Sequence, residues 1–221
     1  MLRAALCFFL IISAPTGAFP DDAEVRPVAR APAPPPMRWA HRPESAQWTR
    51  SALEALRTHG APLAASVPRD IAQWCPGYET AAPPQRRAFW VGFLSALAKY
   101  ESTWRPNAVG GGGRWFGLLQ IQPSTARGYG CRARSGQALK NGNANLSCAI
   151  RILARTVPRD RAIALRDGRW RGVAADWGPM RSKRKRAEMA AWLRGQSYCA
   201  ITRSPRPKAR PAAPPMRRAD R

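Results

Sequence analysis

The 221-residue chain reads as a mainly α-helical domain, stabilised by disulfides and flanked by disordered Pro- and Arg-rich tails. Three observations predict this. Apolar residues recur at helical spacing through the middle of the chain. Four cysteines remain once a leader is set aside. Proline and basic residues crowd both ends, where large apolar side chains are scarce.

Residues 1–18 have the form of a secretory signal peptide. Met1 and Arg3 precede the apolar run Leu6–Ile12, and small residues lead to a cut after Ala18. The run is too short to span a bilayer comfortably. Cys7 lies inside the run rather than at its end, which argues against a lipid anchor. The expected location is periplasmic or secreted. Residues 19–43, with seven prolines from Pro20 to Pro43, form a Pro-rich linker. Residues 44–200 form the folded domain, and residues 201–221 a basic disordered tail.

Within the domain, Ser45–His59 carries Trp48, Ala52, Leu53 and Leu56 at helical spacing and stops at Gly60. A short turn around Ile71 and Trp74 follows. The strongest helix spans Pro84–Ser102, with Phe89, Phe93, Leu94, Leu97 and Ala98 on one stripe and Pro106 just beyond its end. Further helices are expected at Ser124–Tyr129, Ala144–Arg155, Arg171–Trp177 and Lys183–Ser197. Sustained strand alternation is missing from the pattern, which leaves room only for a small ribbon around Gly110–Gly113. No G-K-[ST] follows those glycines, so they read as a hinge rather than a phosphate loop.

The cysteines left after the leader are Cys75, Cys131, Cys148 and Cys199. In an oxidising compartment they pair, and three pairings are open. The favoured one joins Cys131 to Cys148 and Cys75 to Cys199. With no C-x-x-C and only His41 and His59 as histidines, neither a metal site nor a cofactor is expected.

The net charge is +24 and the pI about 11.6. Such a balance calls for a polyanionic partner: nucleic acid, anionic lipid or an acidic wall polymer. Export places nucleic acid last. The basic tail suits an anionic wall or membrane surface, and a partner in the secretion or envelope machinery remains open.

Acids are scarce, and between Glu79 and Asp160 the only one is Glu101. It follows Leu97 by four residues and Leu94 by seven, which puts it on the apolar stripe of its helix. Burial there raises a carboxyl pKa, as a general acid needs. The alternatives are a carboxylate exposed at a fraying helix end or one paired with Arg105.

The residues after Glu101 narrow the choice. Glu101-Ser102 is followed by Pro106-Asn107-Ala108 and then by Gly117-Leu118-Leu119-Gln120-Ile121-Gln122-Pro123-Ser124-Thr125-Ala126. This resembles the soluble lytic transglycosylase family, with its E-S, P-x-A and G-L-M-Q-I-x-P-x-T-A pattern. Leu119 stands where that family has Met. Asn145-Leu146-Ser147-Cys148-Ala149 resembles the family's Asn-initiated helix.

The resemblance runs from about Phe89 to Gly178. It implies a lysozyme-like helical fold with a cleft for the glycan strands of peptidoglycan, and Glu101 as the single catalytic acid and base. Cleavage between N-acetylmuramic acid and N-acetylglucosamine would leave a 1,6-anhydro end. Two carboxylates flank the bond in most glycosidases, and this region offers one.

Substrate-binding positions implied by the motif are Ser102, Gly117, Leu118, Gln120 and Asn145, joined by Asp176 and Trp177 downstream. Ser102 either bonds the acid or sugar or caps the helix end. Gln120 offers an amide to an acetamido group, and Gly117 permits close backbone approach. Trp104, Trp115, Phe116, Tyr129 and Trp177 are candidate stacking faces. One departure concerns the family's A-Y-N-A-G, which reads Ala174-Ala175-Asp176-Trp177-Gly178 here. The tyrosine that supports the glutamate is replaced by Ala175. Asp176, or Asp167, then becomes a candidate second carboxylate for a muramidase-type hydrolase. A non-catalytic wall-binding protein is the remaining alternative.

Overall fold

The computed structural model describes residues 36–200. The expected signal peptide, the linker up to residue 35 and the tail from residue 201 lie outside the described residues. The last part of the expected linker is folded. Met37 is 4% exposed and Trp39 is fully buried. Indole Nε1 of Trp39 donates to Thr49 Oγ1 at 3.0 Å, and its ring meets Trp48 edge-on. Arg38 N–H donates to Ser95 Oγ at 3.0 Å. Proline density in the sequence masked two large apolar side chains that belong to the core.

Nine helices and two short ribbons follow in chain order among the described residues. Helix α1 is Ser45–Arg57, α2 Ala61–Ala65, α3 Ile71–Trp74 and α4 Pro83–Glu101. Strands β1 (Val109–Gly110) and β2 (Trp115–Phe116) pair antiparallel around the glycine-rich tip. Helices α5 (Pro123–Gly128), α6 (Gly136–Leu139) and α7 (Gly142–Asp160) come next. A second ribbon pairs β3 (Arg166–Asp167) with β4 (Arg169–Trp170). Helix α8 (Val173–Asp176), a 3₁₀ turn at Gly178–Arg181, α9 (Lys183–Arg194) and a 3₁₀ turn at Ser197–Cys199 complete the domain.

Helix α4 is the axis. Every residue from Ala88 to Ala98 is buried, not only the predicted stripe. Trp90, Val91 and Ala96 fill the faces between Phe89, Phe93 and Leu97, so the helix is apolar all round and is enclosed by α1, α2 and α9. Two of its buried polar groups bond within the protein. Ser95 Oγ donates to Gly92 O at 2.6 Å, and Trp90 Nε1 donates to Tyr78 Oη at 2.9 Å.

Helix α7 crosses α1 and α2 and begins earlier than the sequence suggested. Asn141, not Asn145, is its cap, its Oδ1 accepting from Ala144 N–H at 3.0 Å. Segments distant in the chain are tied together by polar clamps. Buried Asp70 accepts from Ile163 and Ala164 N–H at 2.8 and 2.7 Å, pinning the end of α7 against α3. On α9, Glu188 accepts from Arg38, Lys99 and the Tyr100 hydroxyl. Arg38 above all holds its pKa down to about 2.

Both favoured disulfides are formed, Cys75–Cys199 across 124 residues and Cys131–Cys148 across 17. On the chain-entropy view the shorter loop contributes roughly 3 kcal/mol and the longer one more.

Trp39→Ala removes a fully buried indole from the segment preceding α1. It is expected to lower stability by about 3–5 kcal/mol, read as a shift of the urea midpoint with disulfides intact. A change near zero would place Trp39 outside the cooperative core.

Candidate active site

Glu101 is the last residue of α4. The chain leaves the helix abruptly there, with Ser102 N–H closing on Ala98 O and Thr103 and Trp104 both at positive φ. This turn leaves the Glu101 side chain in the wall of a cleft of about 560 Å³. Tyr100, Trp115, Gln120, Asp176, Trp177 and Arg181 share that wall. Beyond Trp115 and Asp176 the cleft continues into a recess of about 180 Å³ floored by Ile121 and Ile152. Another hollow, of about 490 Å³, lies between α1, α2 and the start of α4. It is lined by Arg57, Arg86 and Arg87 and holds no carboxylate, and Arg86 there is spent on the carbonyls of Ala65, Glu79 and Ala81. The acid–base chemistry therefore belongs to the cleft.

Burial raises the Glu101 pKa from 4.5 to about 7, against a smaller lowering by the Lys185 ammonium. Oε1 of Glu101 is buried and has no hydrogen-bond partner among the described residues. Arg105 does not pair with it; that guanidinium donates to Ser102 O. Nor does a tyrosine replace the one missing at Ala175, since the neighbouring Tyr100 hydroxyl is committed to Glu188 at 2.6 Å. Glu101 thus sits in dry surroundings with its proton as the cheapest neutraliser.

Asp176 ends α8 on the same cleft and is exposed. Nearby protein raises its pKa by desolvation, while Arg159 and Arg181 pull it back. Asp167 is not at the cleft. It lies in the exposed β3–β4 ribbon and pairs with Arg171 at 2.6 Å, which lowers its pKa. Its expected role as a second carboxylate is therefore corrected: an ion-paired acid on a separate hairpin cannot flank a bond held at Glu101.

Several motif positions build the site without facing it. Ser102 is 3% exposed and its Oγ donates to Ala98 O at 3.3 Å, a helix-end cap. Leu118 is fully buried in the core. Asn145 is fully buried too, and its amide is used three times. Oδ1 accepts from Leu119 N–H, while Nδ2 donates to Phe116 O and Leu139 O, all at 2.9 Å. Gly117 packs against this knot. At φ +80° it has no room for a side chain, since a Cβ would lie 2.1 Å from Leu139 O. Its glycine serves backbone–backbone packing, not ligand approach. Leu119, in place of the family's Met, is buried at similar volume.

Gln120 does reach the cleft, at φ +48°. Its Nε2 is already given to Ala108 O and Gly117 O, so only the amide oxygen remains for a ligand. Of the five aromatic candidates, Trp115 and Trp177 line the cleft. Trp115 is 41% exposed, beneath the glycine tip. Trp177 is nearly buried and its Nε1 donates to Leu119 O at 3.0 Å. Trp104 packs on His41 and donates to Ser95 O, Phe116 lies against Gly136, and Tyr129 packs on the core. Tyr100 and Arg181 escaped sequence reading. The signal for Tyr100 was its place next to Glu101; Arg181 was hidden in a run of basic residues.

A lysozyme-like helical fold, with a proton-holding carboxyl group in the wall of a long cleft, defines a glycan-acting class of protein. Residues 81–175 match the transglycosylase SLT domain. Three solved structures of Bd0314 DslA are similar. A wild-type form is 31% identical, covering 72% of this chain and 94% of its own, with a TM-score of 0.65. Two Glu-to-Gln variants of the same protein are each 30% identical. One covers 74% of this chain and 97% of its own at a TM-score of 0.67, the other 77% and 100% at 0.70. No curated protein matches. The chain belongs to the SLT transglycosylase family, whose domains act on peptidoglycan.

Two expectations follow. Asn145→Asp keeps an acceptor for Leu119 N–H but sets a carboxylate against two carbonyls. Asn145→Ala strands all three partners. Each is expected to cost roughly 2–4 kcal/mol, measured by urea denaturation, and to lower activity through loss of the Gln120 loop. The second concerns pH. The native state holds a proton on Glu101 that the unfolded chain releases, so the burial penalty grows from pH 4.5 and is complete above about 7. Glu101→Gln is therefore expected to exceed the wild type by roughly 3 kcal/mol near pH 8 and to match it near pH 4.

Proposed function

We propose that the protein is an exported lytic transglycosylase that cleaves the N-acetylmuramic acid–N-acetylglucosamine bond with Glu101 as its one acid and base. The reading is carried by a single observation: a carboxyl group buried in the cleft with a pKa of about 7 and no partner for Oε1. Such a group is protonated and poised to donate near neutral pH. Glu101 gives its proton to the glycosidic oxygen as the bond from the anomeric carbon breaks. The muramic acetamido group stabilises the resulting positive centre from within the substrate. The carboxylate then accepts the proton of the muramic 6-hydroxyl as that oxygen bonds the anomeric carbon. Glu101 ends protonated again, no water is consumed, and the product is a 1,6-anhydro sugar.

Trp115 and Trp177 supply cleft walls on which sugar rings stack, and the free oxygen of Gln120 accepts from an acetamido N–H. Asp176 supports a second reading, because it is an acid on the same cleft. A muramidase using it would add one water to the product.

Mass spectrometry of fragments from purified peptidoglycan separates the two readings. Anhydro ends are expected, together with a rate that falls above about pH 7 as Glu101 loses its proton. Glu101→Gln is expected to lose activity by ~10⁴-fold or more while Asp176→Asn is milder. Hydrated ends, with both substitutions equally damaging, would replace the transglycosylase by the two-carboxylate hydrolase. Near-normal activity in Glu101→Gln would remove both.

A further inference from the structure

Two cations have no part in the chemistry assigned to Glu101: Arg181 lines the cleft, and Lys185 lies against the cleft-wall residue Tyr100. Arg181 closes the 3₁₀ turn after α8 and lines the cleft. Its Nε donates to Ala174 O at 3.0 Å and one terminal nitrogen to Ala175 O at 2.7 Å. The guanidinium is therefore set by α8 rather than swinging free. Lys185 is four residues on, in the first turn of α9. Its ammonium lies 5.2 Å from the centre of the Tyr100 ring, and Tyr100 is cleft wall.

Asp176 on the same cleft feels the Arg181 charge and offsets part of it without forming an ion pair. Among the described residues neither Arg181 nor Lys185 forms an ion pair. The one acid of α9, Glu188, is taken by Arg38, Lys99 and Tyr100. Exposed Arg184 adds to the field beside them. Cations without an ion-pair partner beside a cleft favour an arriving anion. A guanidinium fork fixed by two backbone bonds favours a planar carboxylate, and a mobile ammonium nearby adapts to a second oxygen.

We propose that Arg181 and Lys185 form a subsite for a carboxylate carried on the lactyl arm of the muramic acid bound beside Glu101. The protein would thereby select muramic-acid strands over uncharged glycans. The inference rests on the proposed substrate, and its carboxylate has two sources. One is the stem peptide; the other is the free lactyl group of a strand stripped of peptide.

The test measures binding calorimetrically in Glu101→Gln protein, which removes cleavage from the readout. The probes are peptide-bearing glycan, amidase-stripped glycan and a chitin oligosaccharide. Adding Arg181→Gln and Lys185→Gln is expected to weaken binding of carboxylate-bearing glycan by roughly 10-fold or more. Its salt dependence should flatten, and chitin binding should not change. Lys185→Gln alone, which disturbs no backbone contact, should move binding the same way by a smaller factor. Loss confined to the peptide-bearing probe assigns the stem peptide; loss on both muramic probes assigns the lactyl carboxylate. Equal loss on chitin, or no loss on either muramic probe, overturns the subsite. If the Glu101→Gln parent binds none of the three, the proposed function itself fails.

Discussion

The enclosure of α4 is the constraint on which the rest of the structure depends. A helix ending in a carboxyl group keeps that group from water only if its last turns are covered. Here α1, α2 and α9 surround Ala88–Ala98. The Met37–Trp39 segment ties onto the same helix through Ser95. Because the enclosure stops at Tyr100, Glu101 has protein behind it and the cleft in front. A carboxyl group in that position holds its proton into the neutral range. The cost of burial and the readiness to donate are one property seen twice.

Around that axis, three buried polar groups act as ties. Asp70 joins α3 to the end of α7, Ser95 joins α4 to the N-terminal segment, and Asn145 joins α7 to the loop carrying Gln120. Leu119 extends this last link, since its carbonyl receives Trp177 from beyond α8. Segments distant in the chain thus meet at the cleft through one amide and one indole. Glu101 Oε1 is buried without a partner, as are Thr156 Oγ1 and Tyr198 Oη elsewhere in the interior. Among these unpartnered groups Glu101 is the one that lines the cleft, where an unsatisfied carboxyl group marks function rather than stability.

Charge is arranged with equal economy. The chain carries 37 Lys or Arg against 13 acids, so each acid's position matters. Glu188 is consumed by a three-donor clamp, and Asp160 and Asp167 by neighbouring arginines. Among the described residues, Glu101 and Asp176 face the cleft as acids and Arg181 faces it as a cation. Beside the proton-holding Glu101 the cleft thus carries one acid and one cation, within a chain of net charge +24 that suits an anionic polymer.

How much could be read without coordinates differs from residue to residue. The long helix ending at Glu101, its buried setting and the general helical plan follow from apolar spacing, which is local and needs no partner. The disulfide pairing followed from a preference among three, and the short Cys131–Cys148 loop made half of it natural. What the sequence could not convey is which motif residues face outward. Ser102, Gly117, Leu118 and Asn145 look like ligand contacts in a linear pattern, yet all four are buried in the frame. Conversely Arg181, one arginine among many, reaches the cleft because α8 and the turn after it fold back beside Glu101. Met37 and Trp39 were hidden by flanking prolines until their partners across the chain were seen. Local propensity determines that a helix forms and where its acid falls. Only tertiary packing decides which of two polar faces meets water, because that choice depends on groups in other elements, as when Asn145 of α7 binds Phe116 and Leu119.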